Sequence, residues 1–135
     1  MLDSFLSALI SALCQDGIPA YHEYPQVRKP MPECAFFVTA AVSELKLDAP
    51  LRTADGCAMP AALTLRVRYL YRMDADIPMH TDDADDCIMH KLRTLGCDLQ
   101  SVRRSELHYQ KSLGRMECET LFSLRGLISY REGTA

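Results

Sequence analysis

The sequence lacks the short motifs that identify the commonest catalytic and cofactor-binding sites. Its six glycines are scattered singly, so no glycine-rich loop is present that could hold a phosphate group. None of its serines lies in the G-x-S-x-G turn that exposes the nucleophile of the α/β-hydrolases. These absences remove two well-defined routes to an enzymatic assignment, and we expect no catalytic activity and no cofactor.

The chain also has few features of an exported or membrane-bound protein. Its six cysteines include no C-x-x-C pair, and we interpret them as reduced, partly buried thiols, with a disulfide framework as the alternative. Residues 1–3 carry no basic side chain, and the apolar run around them is too short and too interrupted to span a bilayer. The sequence therefore predicts a cytoplasmic protein with no membrane partner.

The composition itself is ordinary for a globular protein. Of the 135 residues, 48% are hydrophobic and 24% are charged, which predicts one domain over residues 1–135 with a single core. No internal repeat, low-complexity tract or linker divides the chain. The formal net charge of −3 does not favour general attraction to nucleic acid, so direct nucleic-acid binding is not expected, although a local basic patch remains compatible with it.

The most informative segment is residues 63–72, in which apolar and polar side chains alternate. The apolar set is Leu63, Leu65, Val67, Tyr69 and Tyr71, and the polar set includes Arg66, Arg68 and Arg72. Because successive side chains of a strand point to opposite faces, this pattern predicts a sheet with one face on the core and the other bearing arginines. That second face must be solvated, paired with acids or in contact with a partner.

Two segments show the apolar spacing of amphipathic helices. The first covers residues 2–15, with Gly17 positioned to end it and Pro19 to prevent its continuation. The second is predicted from Thr81 to Leu95, with Thr81 as its N-cap and four of the residues from 82 to 86 as aspartates in its first turns. Gly96 is predicted to close this helix.

The remaining segments read as strands separated by loops. Strands are predicted over residues 20–24, 34–47, 61–73, 101–110 and 116–130, with Gly126 as a bulge or a close backbone approach. Loops are predicted over residues 26–33, 48–60 and 74–80. This order predicts an α+β fold, a mainly antiparallel sheet with both amphipathic helices packed on one face.

The opposite face of that sheet is the predicted interaction surface. It would carry Arg66, Arg68, Arg72 and Arg125 among leucines, and we predict these four arginines as interface residues. Their partners would be acids such as Glu44, Glu117 and Glu119, either across strands or in another subunit. A nucleic-acid-binding or partner-binding module is the alternative, but Tyr69 and Tyr71, which could stack on bases, fall on the other face.

A metal-dependent enzyme is a further, weaker alternative. Asp86, Cys87 and His90 have the spacing to share one side of the second helix, and their side chains are competent ligands for zinc. The spacing matches no named metal motif. An acidic helix start with Cys87 in the apolar stripe explains the same residues, so no metal site is predicted.

The pattern as a whole resembles the tail-terminator (tail-completion) proteins of long-tailed bacteriophages and prophages. The resemblance runs through the opening helix, Ile18-Pro19-Ala20-Tyr21-His22-Glu23-Tyr24, Pro32-Glu33-Cys34-Ala35-Phe36-Phe37-Val38, the strand at 63–72, the helix at 86–95 and Leu121-Phe122-Ser123-Leu124-Arg125-Gly126-Leu127-Ile128-Ser129-Tyr130. It implies a non-enzymatic subunit that assembles into a ring, typically of six, at the end of the tail tube.

The same resemblance implies the partners and the place of action. The ring would contact tail-tube and head–tail connector proteins, and the subunit would pass from the bacterial cytoplasm into the virion tail. The three predicted loops, at residues 26–33, 48–60 and 74–80, would carry the contacts with neighbours and with the tube.

Overall fold

A computed structural model describes residues 2–23, 32–49, 51–53 and 56–130, which form two helices and seven strands. In chain order these are α1 (Leu2–Gln15), β1 (Ala20–His22), β2 (Phe36–Leu47), β3 (Leu51–Thr53), β4 (Gly56–Tyr71), α2 (Ile77–Thr94), β5 (Asp98–Arg104), β6 (His108–Gln110) and β7 (Arg115–Tyr130). The predicted α+β class is confirmed. Most of the predicted loop at residues 26–33 lies outside the described residues.

The seven strands form one sheet in the order β1-β2-β4-β7-β5, with β3 pairing with β4 and β6 pairing with β7. Only the β1–β2 pair is parallel among these pairings, and the others are antiparallel. The long strand β4 lies in the middle between β2 and β7. The alternating segment that dominates the sequence is therefore the centre of the sheet.

Both helices pack on one face of this sheet, as the alternation predicted. Leu9 and Leu13 of α1 and Ile88 and Leu92 of α2 are buried in one cluster with the apolar side chains of β4. In that cluster β4 contributes Leu65, Val67, Tyr69 and Tyr71, and β2 contributes Phe36, Val38 and Ala40. The other face of the sheet carries Arg66 and Arg68, because these residues alternate with the buried ones along β4.

Helix α1 ends at the glycine that the sequence marks. Gly17 has a φ of +82°, a conformation that side chains with a Cβ rarely adopt. The Ile18 N–H donates to the Leu13 carbonyl at 2.9 Å, so the chain turns back at once and buries Ile18 against the core. This turn delivers the chain into β1 at the margin of the sheet.

Helix α2 begins four residues earlier than predicted. Its N-cap is Asp76, whose carboxylate accepts from the Met79 N–H at 3.2 Å, and not Thr81. Pro78 lies in the first turn, where its missing N–H costs nothing, so the proline that suggested a loop is compatible with the helix start. The first turn consequently contains no acid, and the aspartates at 82–86 lie further along the helix.

The structure differs from three predictions about the strands. The predicted loop at residues 48–60 instead contains β3 and the first part of β4, with Thr53 opposite Gly56 and Pro60 inside the strand. Gly126 forms no bulge, since it pairs with Ala61 in an uninterrupted register. The predicted strand at 101–110 is divided into β5 and β6, which both pair with β7.

The two margins of the sheet differ in how well the protein covers them. At one margin β1 is three residues long, and the Cys14 thiol of α1 lies 3.7 Å from the Ala20 carbonyl oxygen. At the other margin all seven residues of β5 and two of the three residues of β6 are exposed. No helix in the described part of the chain is long and apolar enough to cross a membrane.

Candidate functional site

The arginine face is held by an ionic network centred on Glu23. One oxygen of this carboxylate, Oε2, accepts from Arg66 Nη2 at 2.6 Å and from Arg66 Nε at 3.1 Å. The other oxygen, Oε1, lies 2.9 Å from Arg68 Nε, within ion-pair distance but not aligned as a hydrogen bond. The Glu23 side chain is only 8% exposed, so its charge depends on these two guanidinium groups for compensation.

Glu23 reaches the central strand because of the strand order at this margin. The Glu23 N–H donates to the Ala40 carbonyl at 3.0 Å, which positions Glu23 beside Ala41 on the face opposite the helices. Ala41 pairs with Arg66, and its small side chain leaves room for the carboxylate to cross from β1 to β4. The residue that directly follows β1 thus supplies the acid, and the alanine in β2 gives it access.

Two acids of β7 complete the network from the other side. Glu119 lies directly opposite Arg68, with its Oε2 at 3.8 Å from Arg68 Nε, and Glu117 Oε1 lies at 3.9 Å from the same atom. Glu117 and Glu119 were among the partners expected for the arginines, whereas Glu44 lies 3.7 Å from Lys46. Glu23 was not predicted as a partner of the arginines, although it lies two residues after Tyr21 in the predicted strand at 20–24 and so shares the face of Tyr21.

The other two predicted interface arginines lie away from this network. Arg72 follows the end of β4, where its Nε lies 2.6 Å from Asp74 Oδ1, and this hydrogen bond lowers the pKa of Asp74. Arg125 lies in β7 opposite Ala62 and Asp98, is exposed, and forms no ion pair with any described residue. The four arginines therefore share a face or its margin without forming one cluster.

A small apolar patch lies on the same face, next to the ionic network. Phe37 and Leu70 are 4% and 3% exposed, although they point away from the helices. The Arg115 guanidinium lies over the Phe37 ring at 5.0 Å and donates to the backbone carbonyls of Cys34 and Pro32 at 2.8 and 2.6 Å. This buried arginine holds the chain segment that enters β2, and no local pattern in the sequence predicts this contact.

A second polar network joins α2 to the sheet on the helix side. The Tyr69 hydroxyl and Arg104 Nη2 both donate to Asp85 Oδ1 at 2.5 Å, and Arg104 Nε donates to Thr120 Oγ1 at 3.0 Å. Burial raises the pKa of Tyr69 far above its ordinary value, so this hydroxyl stays protonated. One of the aspartates at 82–86 is thus a structural acceptor.

The residues of the metal alternative do not converge on a ligand set. Cys87 is buried, and its thiol lies 3.7 Å from the Ala12 carbonyl oxygen of α1. Burial raises the pKa of Cys87 to about 12, which disfavours the thiolate that binds zinc. Asp86, Cys87 and His90 line a shallow depression, but no group of three metal-binding side chains is found among the described residues.

Comparison with known proteins leaves the family unassigned. No family of known proteins matches the sequence, and no curated protein matches it. A solved structure entitled "Virion of native gene transfer agent (GTA) particle" contains a chain that is 14% identical, with 84% of this chain and 82% of that chain covered. The TM-score of 0.36 is too low for this similarity to support an argument about function.

Proposed function

We propose that this chain is a structural subunit of a phage-type particle, a tail terminator or a related head–tail joining component that forms a ring at the end of the tail tube. One observation carries the proposal. The sheet face opposite the helices is held by its own ion pairs, yet neither described helix lies on it. The part of this face around Glu23, Phe37 and Leu70 is buried, so the surface available for docking is the exposed part around Arg125. Together with the sequence resemblance to tail-terminator proteins, this arrangement favours a docking surface there.

The electrostatics of the face favour protein contact over nucleic-acid contact. Glu23 is within ion-pair distance of both Arg66 and Arg68, and two further carboxylates approach Arg68. Guanidinium groups that are already neutralised attract phosphates weakly, so the nucleic-acid alternative gains no support from this geometry. Interfaces between proteins, in contrast, commonly contain arginines beside apolar and aromatic residues.

Within this proposal the arginines have two different roles. Arg66 and Arg68 are held in place on the face by their intramolecular partners. Arg72, just after the end of β4, and Arg125, in β7, are exposed, so carboxylates of a neighbouring subunit can reach them. A ring of identical subunits needs two different, complementary patches on each copy, and Arg125 is the best candidate for one of them because it makes no ion pair with a described residue.

The proposed function is tested by deleting the gene from a lysogen that carries it and inducing particle formation. We expect electron microscopy of the lysate to reveal heads and tails that have not joined. Complementation with the unaltered chain should restore joined particles. Normal joined particles from the deletion strain would overturn the proposal.

The interface assignment is tested in the same complementation assay with Arg125→Glu. Repulsion of the neighbour's acids should reduce joined particles by about tenfold. Arg93→Glu, which changes the charge of an exposed arginine on α2, is the matched control and should complement fully. Reversal of Arg66 or Arg68 is unsuitable, because it would leave Glu23 buried without compensation and destabilise the fold.

A further inference from the structure

The open margin of the sheet presents an apolar strip that the rest of the described chain does not cover. Five of its large apolar residues are between 37% and 53% exposed: Leu99, Val102, Leu107, Tyr109 and Leu113. The Tyr109 hydroxyl lies beside Gly114, so the Tyr109 side chain packs against the β6–β7 turn at residues 111–114. Exposed apolar residues grouped in this way mark an interaction site.

A groove lies at the opposite margin, between the turn that leads into β1 and helix α2. It consists of two adjoining depressions of about 310 and 430 Å³. Ile18 and Phe36 contribute apolar surface, and Asp16, Asp83 and Asp86 give the groove a negative charge. None of these three carboxylates forms an ion pair within the described residues, so a cation from outside can reach them.

The groove and the end of the strip at Tyr109 lie at the same position along the strands of the sheet. Phe36 pairs with Tyr71, Tyr71 with Met116, and Met116 with Tyr109, so one row of paired residues runs from the groove to the strip. A second copy displaced sideways along this row would bring its Tyr109 to the groove of the first. Two different surfaces at the two ends of one row generate a head-to-tail contact.

We propose that strand β6 and the β6–β7 turn of one copy dock into the groove of the next copy. Tyr109 and Leu113 would cover the apolar part of the groove, and the exposed Lys111 would face Asp83 and Asp86. Lys111 forms no ion pair with a described residue, so it is available for this contact. The inference rests on the proposed function, to which it adds a pair of contacting surfaces beside the helices, separate from the contact proposed for Arg125 on the opposite face.

The apolar part of the contact is tested with the double variant Tyr109→Ser and Leu113→Ser. Sedimentation equilibrium over a range of protein concentrations should give a dissociation constant for self-association at least about tenfold higher than that of the unaltered chain. Leu47→Ser is the matched control, since Leu47 is 47% exposed but lies at the far end of β2. Circular dichroism checks that both variants remain folded.

The charged part of the contact is tested by exchanging the charges of its two sides. Lys111→Glu by itself, and Asp83→Lys combined with Asp86→Lys, should each weaken self-association. The chain with all three substitutions should recover it, because the charges that face each other are then opposite again. Failure of the triple substitution to recover association would overturn the pairing. Association that is unaffected by the apolar double variant would overturn the docking surface.

The experiments distinguish failure of the proposed function from failure of the proposed docking surfaces. If the variants associate normally while the gene deletion still leaves heads and tails unjoined, the docking surfaces are wrong and the proposed function stands. If the unaltered chain stays monomeric at every concentration, the proposed contact is likewise overturned. Joined particles from the deletion strain would overturn the function without regard to the sedimentation result.

Discussion

Among single residues, Glu23 has the widest influence on the arginine face. Its carboxylate is almost fully buried and contacts Arg66 and Arg68, which come from the central strand of the sheet. A partly buried guanidinium needs such a partner, because loss of one member leaves the other charged and poorly hydrated. We therefore regard Glu23 as the residue that makes two arginines compatible with the middle of a sheet.

Replacing Glu23 with Gln should lower the free energy of unfolding by about 2–4 kcal/mol, because the two guanidinium groups lose their charge partner. The measurement is urea unfolding followed by circular dichroism. Glu44→Gln is the control: Glu44 and Lys46 are exposed, and the change should be about 0.5 kcal/mol or less. Equal effects from the two substitutions would contradict a structural role for Glu23.

The alternation of side chains was enough to predict which face carries Arg66 and Arg68, but not what they contact. Glu23 is 43 residues away from Arg66 along the chain, and its contact depends on a parallel pairing that local patterns do not encode. Arg115 is a similar case, since the carbonyls it binds lie 81 and 83 residues away. Contacts set by strand order are therefore the part of the site that sequence reasoning could not supply.

At the scale of secondary structure, helix α2 illustrates how a local signal can be outweighed. Thr81 and the aspartates after it resemble a helix start, yet the helix begins at Ile77. Asp76 supplies the cap one turn earlier, while the Thr81 hydroxyl donates to the Ile77 carbonyl at 2.7 Å and lies 2.5 Å from the Tyr71 hydroxyl. Thr81 is consequently an anchor between helix and sheet.

The cap assignment predicts that Asp76→Ala lowers the free energy of unfolding by about 1 kcal/mol, since the Met79 N–H loses its acceptor. The control is Asp82→Ala, an exposed aspartate of the same helix beyond its first turn, for which a change within about 0.5 kcal/mol is expected. Thermal or urea unfolding measures both. A larger effect at Asp82 would indicate that the helix begins later than Asp76.

The presence of the helices and strands was predicted better than the residues at which they begin and end. The apolar spacing of α1 and the alternation of β4 each extend over many residues, so tertiary packing reinforces the local pattern. The segment at 48–60 contains two prolines and an Asp-Gly pair, which predicted a loop. Pairing of β4 with β7 on one side carries the strand through Pro60, and this partner could not be known from the segment itself.

For the molecule as a whole, the buried hydroxyls and thiols predict a limit to stability at alkaline pH. Burial raises the pKa of Tyr69 and Tyr71 well above the ordinary tyrosine value, and it raises the pKa of Cys87 to about 12. These groups keep their protons in the folded state and lose them more readily in the unfolded state. Raising the pH above the unfolded pKa values therefore favours unfolding.

We expect the free energy of unfolding to be nearly constant up to about pH 8.5 and then to fall, by at most about 1.4 kcal/mol per pH unit for each such group. Urea unfolding under reducing conditions at several pH values measures this slope. Tyr69→Phe should make the fall shallower above about pH 10, whereas Tyr109→Phe, at an exposed tyrosine, should not. A stability that rises with pH in this window would contradict the burial argument.

The unequal margins of the sheet limit how copies of the chain can be joined by their backbones. β1 offers only three residues, and a thiol already occupies the Ala20 carbonyl, whereas β5 and β6 leave their outer backbone open. Main-chain pairing between copies can therefore use one side only, and it would stop after two molecules had met. Fibril-like extension is disfavoured for the same reason, and an assembly of more than two copies must be built from side chains.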